Sequence, residues 1–218
     1  MPSQTKENYL KAIYHLANEK AEVGLSDLSK EMDVSIPTVN SMVKKLQEND
    51  WVVYQKYKPL TLTEKGRKTA ALIIRKHRLA EMYLVEKMNF GWEEVHEIAE
   101  ELEHIDSSNF FERMDEMLGH PTHDPHGSPI PDRNGNVKAK DYKPLSETIK
   151  GTNTRLKALQ NSSSDFLIFL NSKNLELGTE IKVLEKEPFD NSMTVTYGDF
   201  QQMMLSKEVC DRLLVEEI

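Results

Sequence analysis

The sequence predicts a mainly α-helical protein with a smaller β-rich part at its C-terminal end. Three observations lead there. Apolar residues recur at helical spacing through most of the first 118 positions. Residues 119–131 then hold four of the nine prolines and interrupt the pattern. Beyond them, Ile181, Val183, Val195 and Thr196 belong to runs rich in β-branched residues, the composition of strands.

The elements follow in order. Tyr9, Leu10, Ile13, Tyr14, Leu16 and Ala17 mark one face of a helix over residues 7–20, and Gly24 closes that unit. Ser26 is placed to cap a short helix over 27–32. After a turn at Asp33 and Val34, Ser35 caps a third helix. Pro37 stands in its first turn, where a missing N–H costs little, and Val39, Met42, Val43 and Leu46 form its buried stripe. Residues 51–54 and 60–62 read as two short strands joined by a basic loop carrying Lys56 and Lys58. Thr63 caps a long helix over 67–90, and 93–118 form one or two more helices. From about residue 144 to 218 the pattern is that of a small β-rich barrel with a short helix near 164–170.

Helix, helix–turn–helix, hairpin, helix is the order of a winged helix-turn-helix. The 218 residues carry a formal net charge of −8, so a polyanion partner requires a local basic patch. One exists. Residues 37–68 contain seven basic and three acidic side chains, whereas 93–116 contain ten acidic residues and one arginine. Ser35, Pro37, Thr38, Asn40 and Ser41 on the third helix are suited to base edges. Lys44, Lys45, Lys56 and Lys58 are suited to phosphates of double-stranded DNA. The acidic segment suits cations.

A single cysteine, Cys210, excludes a disulfide within one chain and reads as a partly buried structural residue. No stretch approaches the ~20 apolar residues of a membrane span, and residues 1–6 have no apolar core of a secretory signal. A cytoplasmic protein without membrane partners is expected.

Six of the seven histidines lie between positions 77 and 126. His77 and Glu81, four apart, share one helical face. His96, Glu100, Glu103 and His104 project within an arc of ~100° if one helix carries them all. Singly, a His–Glu pair is usually a surface ion pair and a Glu-rich helix a solvated face. Two such faces together offer an all-nitrogen-and-oxygen ligand set for one or two divalent first-row ions.

These motifs resemble a known family. Arg75-Lys76-His77-Arg78-Leu79-Ala80-Glu81, with Val95-His96-Glu97-Ile98-Ala99-Glu100-Glu101-Leu102-Glu103-His104, is similar to the metal-binding core of the DtxR/MntR repressors. Ser35-Ile36-Pro37-Thr38-Val39 and Leu62-Thr63-Glu64-Lys65-Gly66 resemble the family's recognition helix and wing exit. His126-Gly127-Ser128-Pro129-Ile130-Pro131 resembles the segment after its dimerisation helices. Leu177-Gly178-Thr179 and Glu187-Pro188-Phe189-Asp190 resemble the SH3-like (FeoA-type) domain of longer members.

The resemblance implies three domains: a winged helix over 1–66, a helical metal-binding and dimerisation domain over 67–140, and an SH3-like β-barrel over 141–218. It implies a primary metal site of Glu100, Glu103, His104 and the first-helix position Asn8. His77, Glu81 and His96 form an ancillary site, with Asp124 and His126 as second-tier ligands. His120 and His123 read as ordinary loop residues. Two positions depart from the family. Asn8 stands where members commonly carry Asp or Met, and Lys11 where some manganese members carry an acid. Glu100 stands where iron-selective members tend to carry sulfur. Mn(II) is therefore the expected corepressor, with Fe(II) next and Co(II), Ni(II) or Zn(II) as substitutes in vitro.

The function implied is a homodimeric repressor of metal-uptake genes, acting on a palindromic operator, and not an enzyme. Two alternatives remain on the sequence alone. One is a winged-helix regulator answering to a small organic ligand. The other is a metal-dependent hydrolase, although no H-E-x-x-H motif is present.

Overall fold

The structure, a computed structural model, describes residues 3–56, 58–138 and 141–218. Tyr57 of the expected wing loop lies outside them. The chain divides into two compact units. One comprises Met1–Tyr83, Glu97–Thr122 and Ile130–Lys138. The other comprises Leu84–His96, His123–Pro129 and Ala139–Ile218.

The first unit opens with α1 (Gln4–Glu19), α2 (Leu25–Glu31) and α3 (Ile36–Glu48). Their apolar stripes meet in one core, where Leu10, Ile13, Leu28, Val39, Val43 and Leu46 are fully buried. As expected, Ser35 caps α3: its Oγ accepts the Thr38 N–H at 3.4 Å and lies 2.9 Å from Thr38 Oγ1. The cap of α2 differs from the expectation. Gly24, not Ser26, is the N-cap, and the Asp27 carboxylate reaches back to accept the Gly24 N–H at 2.9 Å. A charged acceptor three residues into the helix draws its start forward and lets Leu25 join the helix.

Strands β1 (Val52–Val53) and β2 (Thr61–Leu62) pair antiparallel, with Val52 opposite Leu62 and Val53 opposite Thr61. They are shorter than the sequence suggests. A single bridge between Val23 and Leu60 adds the α1–α2 connection to this small sheet. Helix α4 (Glu64–Met88) follows. Thr63 holds its start: its hydroxyl donates to the Asp50 carbonyl at 2.7 Å and accepts the Gly66 N–H at 2.9 Å.

The acidic stretch forms two helices, α5 (Val95–Leu102) and α6 (Ser108–Met117). The arc expected of four ligands on one helix is thereby cut short. Glu103 and His104 lie in the turn after α5, where the Glu103 N–H still reaches the Ala99 carbonyl but the Ile105 N–H bonds Leu102. Leu79, Ala80, Ala99, Phe111, Met114 and Ile130 form a second core in this unit. Arg75 ties the chain after α6 in place, donating to the Pro131 carbonyl and pairing with the buried Asp115, each at 2.9 Å.

In the second unit β3 (Lys143–Pro144), β4 (Asn153–Leu159), β5 (Glu180–Lys186), β6 (Met193–Tyr197), β7 (Phe200–Leu205) and β8 (Leu213–Glu217) form one antiparallel sheet in the order β3-β8-β4-β5-β6-β7. Among the described residues no ladder joins β3 to β7, so the barrel expected here is open. Helix α7 (Ser164–Ser172) falls where the sequence places a short helix, and α8 (Lys207–Arg212) precedes β8. Leu156, Leu170, Ile181, Val195 and Val215 fill the core. Cys210 is fully buried rather than partly so. Burial pushes its thiol up to about 12, which makes it a packing residue and not a nucleophile. Residues 123–129 lie against β4, where the Leu159 N–H donates to the His126 carbonyl. Gly127, at φ +85°, is so close that a Cβ would stand 2.3 Å from the Lys157 carbonyl oxygen.

At Gly66 a Cβ would stand 1.9 Å from the Trp51 carbonyl oxygen, which is backbone and cannot swing away. In an open helical position Gly→Ala stabilises by about 1 kcal/mol. Here the sign reverses: Gly66→Ala is expected to destabilise the winged helix by about 1–3 kcal/mol, the usual cost of overpacking. Urea denaturation of the two proteins measures it.

Candidate metal centre

Three segments of the first unit bring the chemistry together. Helix α1 carries Glu7, Asn8 and Lys11 within one turn. Helix α4 carries His77 and Glu81, one turn apart. The end of α5 and the turn after it carry Glu100, Glu103 and His104.

Glu103 lies at the centre, its side chain fully excluded from solvent. Its Oε2 is 2.7 Å from His77 Nδ1, and its two oxygens accept from Lys11 Nζ at 2.8 and 2.9 Å. Lys11 Nζ also donates to Glu100 Oε1 at 2.5 Å. The other ring nitrogen of His77 is 3.1 Å from Glu81 Oε1. Single ligand atoms of His77, Glu100 and Glu103 all lie within 4.8 Å of one another, a spacing one ion can bridge.

The charges follow from this geometry. Burial alone would push the His77 pKa down. Hydrogen bonds to Glu103 and then to Glu81 outweigh it and hold the ring up at about 9, a cation at neutral pH. Burial likewise raises Glu103, but the His77 hydrogen bond and the Lys11 charge outweigh it and keep the carboxyl below its usual range. Two cations of the protein thus face Glu81, Glu100 and Glu103.

His104 is set up differently. Its Nδ1 is 2.7 Å from Glu7 Oε2, and its Nε2 is 3.8 Å from Glu103 Oε1. A carboxylate accepting the Nδ1–H fixes the tautomer with the Nε2 lone pair towards Glu103, the arrangement that orients a metal-ligating imidazole. Asn8 adds a second sign. Its Oδ1 is buried and is the only such side-chain oxygen or nitrogen without a hydrogen-bond partner among the described residues. Buried acceptors are rarely left so, and a cation would satisfy this one. The oxygen and nitrogen donors of Glu100, Glu103, His104 and Asn8 are of the kind that suits a divalent ion, and the ligand atoms found within one ion's reach are those of His77, Glu100 and Glu103.

The structure sets His77, from the expected ancillary group, directly against Glu103 of the expected primary group. His96, Asp124 and His126 belong to the second unit. There the Asp124 carboxylate accepts the N–H groups of His126 and Ser128, both at 2.9 Å. His126 Nε2 donates to the Trp92 carbonyl at 2.9 Å while the ring stacks on Trp92. His120 pairs with Asp115 at 2.9 Å, and His123 bridges Pro129 in a turn, so both are loop residues. Two polar residues of the first-unit cluster escaped the sequence reading. Glu7 is the residue before Asn8 and four before Lys11, a spacing that would have exposed it. His15, one turn beyond Lys11, shows no pattern of its own.

The expected DNA-reading residues lie on or beside α3 and on the wing. Ser35, Pro37, Thr38, Ser41, Lys44 and Lys45 are exposed on or beside α3, and Lys56 and Lys58 on the wing. Pro37, Asn40, Lys44, Tyr54, Lys56 and Lys58 line an open groove of ≈ 1220 Å³ between them. Asn40 is half-buried, and the Tyr54 hydroxyl donates to its Oδ1 at 3.0 Å.

Residues 1–60 match the iron dependent repressor N-terminal DNA binding domain, 63–132 the metal binding and dimerisation domain of the same repressors, and 143–217 the FeoA domain. The HTH-type transcriptional regulator MntR of Geobacillus kaustophilus is 33% identical over 118 residues, covering 54% of this chain and 83% of that protein. The chain belongs to the DtxR/MntR family of metal-dependent transcriptional repressors. Iron-dependent repressor IdeR of Mycobacterium tuberculosis is 39% identical over 127 residues, 58% of this chain; the alignment spans about half of that relative, 55% of its length. A manganese-dependent transcriptional repressor solved in complex with manganese shares the fold of this DtxR/MntR member at a TM-score of 0.88. It is 29% identical, over 98% of this chain and all of that one.

Burial holds the His15 pKa down at about 4, helped by the charges of Arg78, Lys11 and His77. A folded-state pKa below the unfolded value of ~6.5 stabilises the fold above that pH and loses the contribution as pH falls towards 4. The His15 ring is expected to stay neutral down to about pH 4, as read by the NMR chemical shifts of its ring protons. Titration near 6.5 would contradict its burial.

Proposed function

We propose that this chain is a homodimeric repressor that binds a palindromic operator when a divalent ion, Mn(II) first and Fe(II) next, occupies the centre built on Glu103. One observation carries the reading: the metal-fit residues come from both α1, part of the winged helix, and the turn after α5. An ion held by Asn8, Glu100, Glu103 and His104 would supply positive charge to both at once. The domain division expected from the sequence, 1–66, 67–140 and 141–218, fits this division of labour.

The chain's own residues do the rest. Glu7 orients His104 and fixes its tautomer. His77 and Lys11 neutralise the buried Glu103. On α3, Thr38, Asn40 and Ser41 face the space a major groove would fill, while Lys44, Lys45, Lys56 and Lys58 meet phosphates. Ser35 spends its hydroxyl on the helix cap, so its contribution is to hold the α3 N-terminus. Phe110 and Met117 stand exposed on α6, within the segment matching a dimerisation domain, and support a second copy as partner. A dimer sets two α3 helices about one DNA repeat apart, ~34 Å. All-oxygen-and-nitrogen ligands favour Mn(II) or Fe(II) over ions that seek thiolate. His77 and Glu81, one turn apart on α4, would serve an ancillary ion.

Electrophoretic mobility shift with DNA from upstream of the organism's own metal-uptake genes tests the switch. Retardation is expected with Mn(II) and is lost on chelation. His104→Ala is expected to lose the metal response while keeping its circular dichroism, whereas Glu103→Ala is expected to lose the metal response and stability together, because it strips His77 and Lys11 of their buried counter-charge. Retardation that ignores chelator would overturn the reading. Glu7→Ala removes only the orienting carboxylate, and Mn(II) affinity is expected to fall by about 10–100-fold in calorimetry.

A further inference from the structure

Lys11 is the one charged side chain of the cluster that cannot ligate a cation, yet it holds the best-placed ligand oxygens. Its ammonium accounts for three carboxylate oxygen contacts: Glu100 Oε1 at 2.5 Å and both oxygens of Glu103 at 2.8 and 2.9 Å. Its side chain is only 13% exposed, so the ammonium is housed within the cluster and is not a passing surface contact. An ion bound by Glu100 and Glu103 would need some of the same oxygens. Glu103 already shares its buried carboxylate between His77 and Lys11, so a divalent ion bound there adds further positive charge beside the ammonium and competes for the oxygens it holds.

We propose that Lys11 is a tethered competitor for the metal: its ammonium holds Glu100 and Glu103 together, and a divalent ion binds by displacing it. This rests on the metal-activated reading above and names how that same site is regulated. Two consequences follow from the charge. A monovalent ion gains no electrostatic advantage over the ammonium and cannot displace it, whereas a divalent ion can. The apparent affinity for the divalent ion is also weakened by whatever the ammonium contributes to the pair of carboxylates. Lys11 thereby sets the concentration at which the centre fills. Its four-carbon stem lets the head leave while α1 stays in place, and Glu7 stands one turn back on the same helix as an alternative partner.

The test uses the full-length protein, with Lys11→Met keeping most of the apolar stem without the charge and Lys11→Arg keeping the charge. Free Mn(II) is followed by electron paramagnetic resonance during titration, and thermal unfolding is measured with and without Mn(II). Lys11→Met is expected to bind Mn(II) at least tenfold more tightly than the natural sequence. It should melt lower without metal and gain more from saturating Mn(II). Lys11→Arg should bind no tighter than the natural sequence. Unchanged or weaker Mn(II) binding by a folded Lys11→Met would overturn the proposal, showing that the ammonium stays beside the ion as part of the centre. If Lys11→Met does not fold, Lys11→Gln is read in the same way. Should the natural sequence bind neither Mn(II) nor Fe(II), the metal-activated reading fails as well, and that outcome is separate because it appears before any variant is made.

Discussion

A carboxylate sealed from solvent is tolerable only if something cationic meets it. In this protein that constraint falls on Glu103. Its cationic neighbours His77 and Lys11 come from α4 and α1, while Glu103 itself sits in the turn after α5, so satisfying one side chain brings three segments into register. The elevated His77 pKa and the depressed Glu103 pKa are two faces of this one interaction. Structure in the helical part and chemistry in the centre are therefore not separable: the cations that allow Glu103 to be buried stand on the same oxygens an ion would engage.

Much of this was legible in the sequence, for physical reasons that can be named. Strong apolar periodicity placed α1, and periodicity with explicit caps placed α3 and α4, each to within a few residues. Ser35 and Thr63 declared helix starts because their hydroxyls have few other uses next to an apolar run. Start signals were weaker where an alternative donor–acceptor pair was available, as at α2, where the Asp27 carboxylate outcompeted Ser26 as the organiser. In the second unit, β7 and β8 lack a clean alternation, whereas β4 alternates Thr154, Leu156 and Ala158 inward with Arg155 and Lys157 between them. Phe200–Leu205 carries two glutamines and two methionines, and Leu213–Glu217 follows a six-residue helix without a break, so only the packed sheet reveals them as strands.

For the centre, residue types gave the ligands but not their pairing. Period and spacing predicted that His77 and Glu81 share a face, which the structure bears out. They could not predict that α5 ends at Leu102, nor that Glu103 turns towards His77. Lys11 was visible only as a departure from a pattern. Its meaning depends on where its ammonium reaches, which is tertiary information. Glu7 illustrates the opposite case: an acid one helical turn before a lysine and beside the proposed ligand Asn8 is a local signal, readable once the first helix is treated as part of the centre.

The Tyr54 hydroxyl that holds the Asn40 amide joins the hairpin to α3. An amide whose oxygen is already engaged presents mainly its NH2 group outward, and so favours acceptors such as purine N7 or thymine O4 over the paired donor and acceptor of adenine. The orientation of that NH2 group is set by a residue of the hairpin. With Asn40 reading bases as proposed, backbone grip and base preference would be coupled: a change that moves the wing would also re-aim that amide, and operator preference could drift through residues that never touch a base.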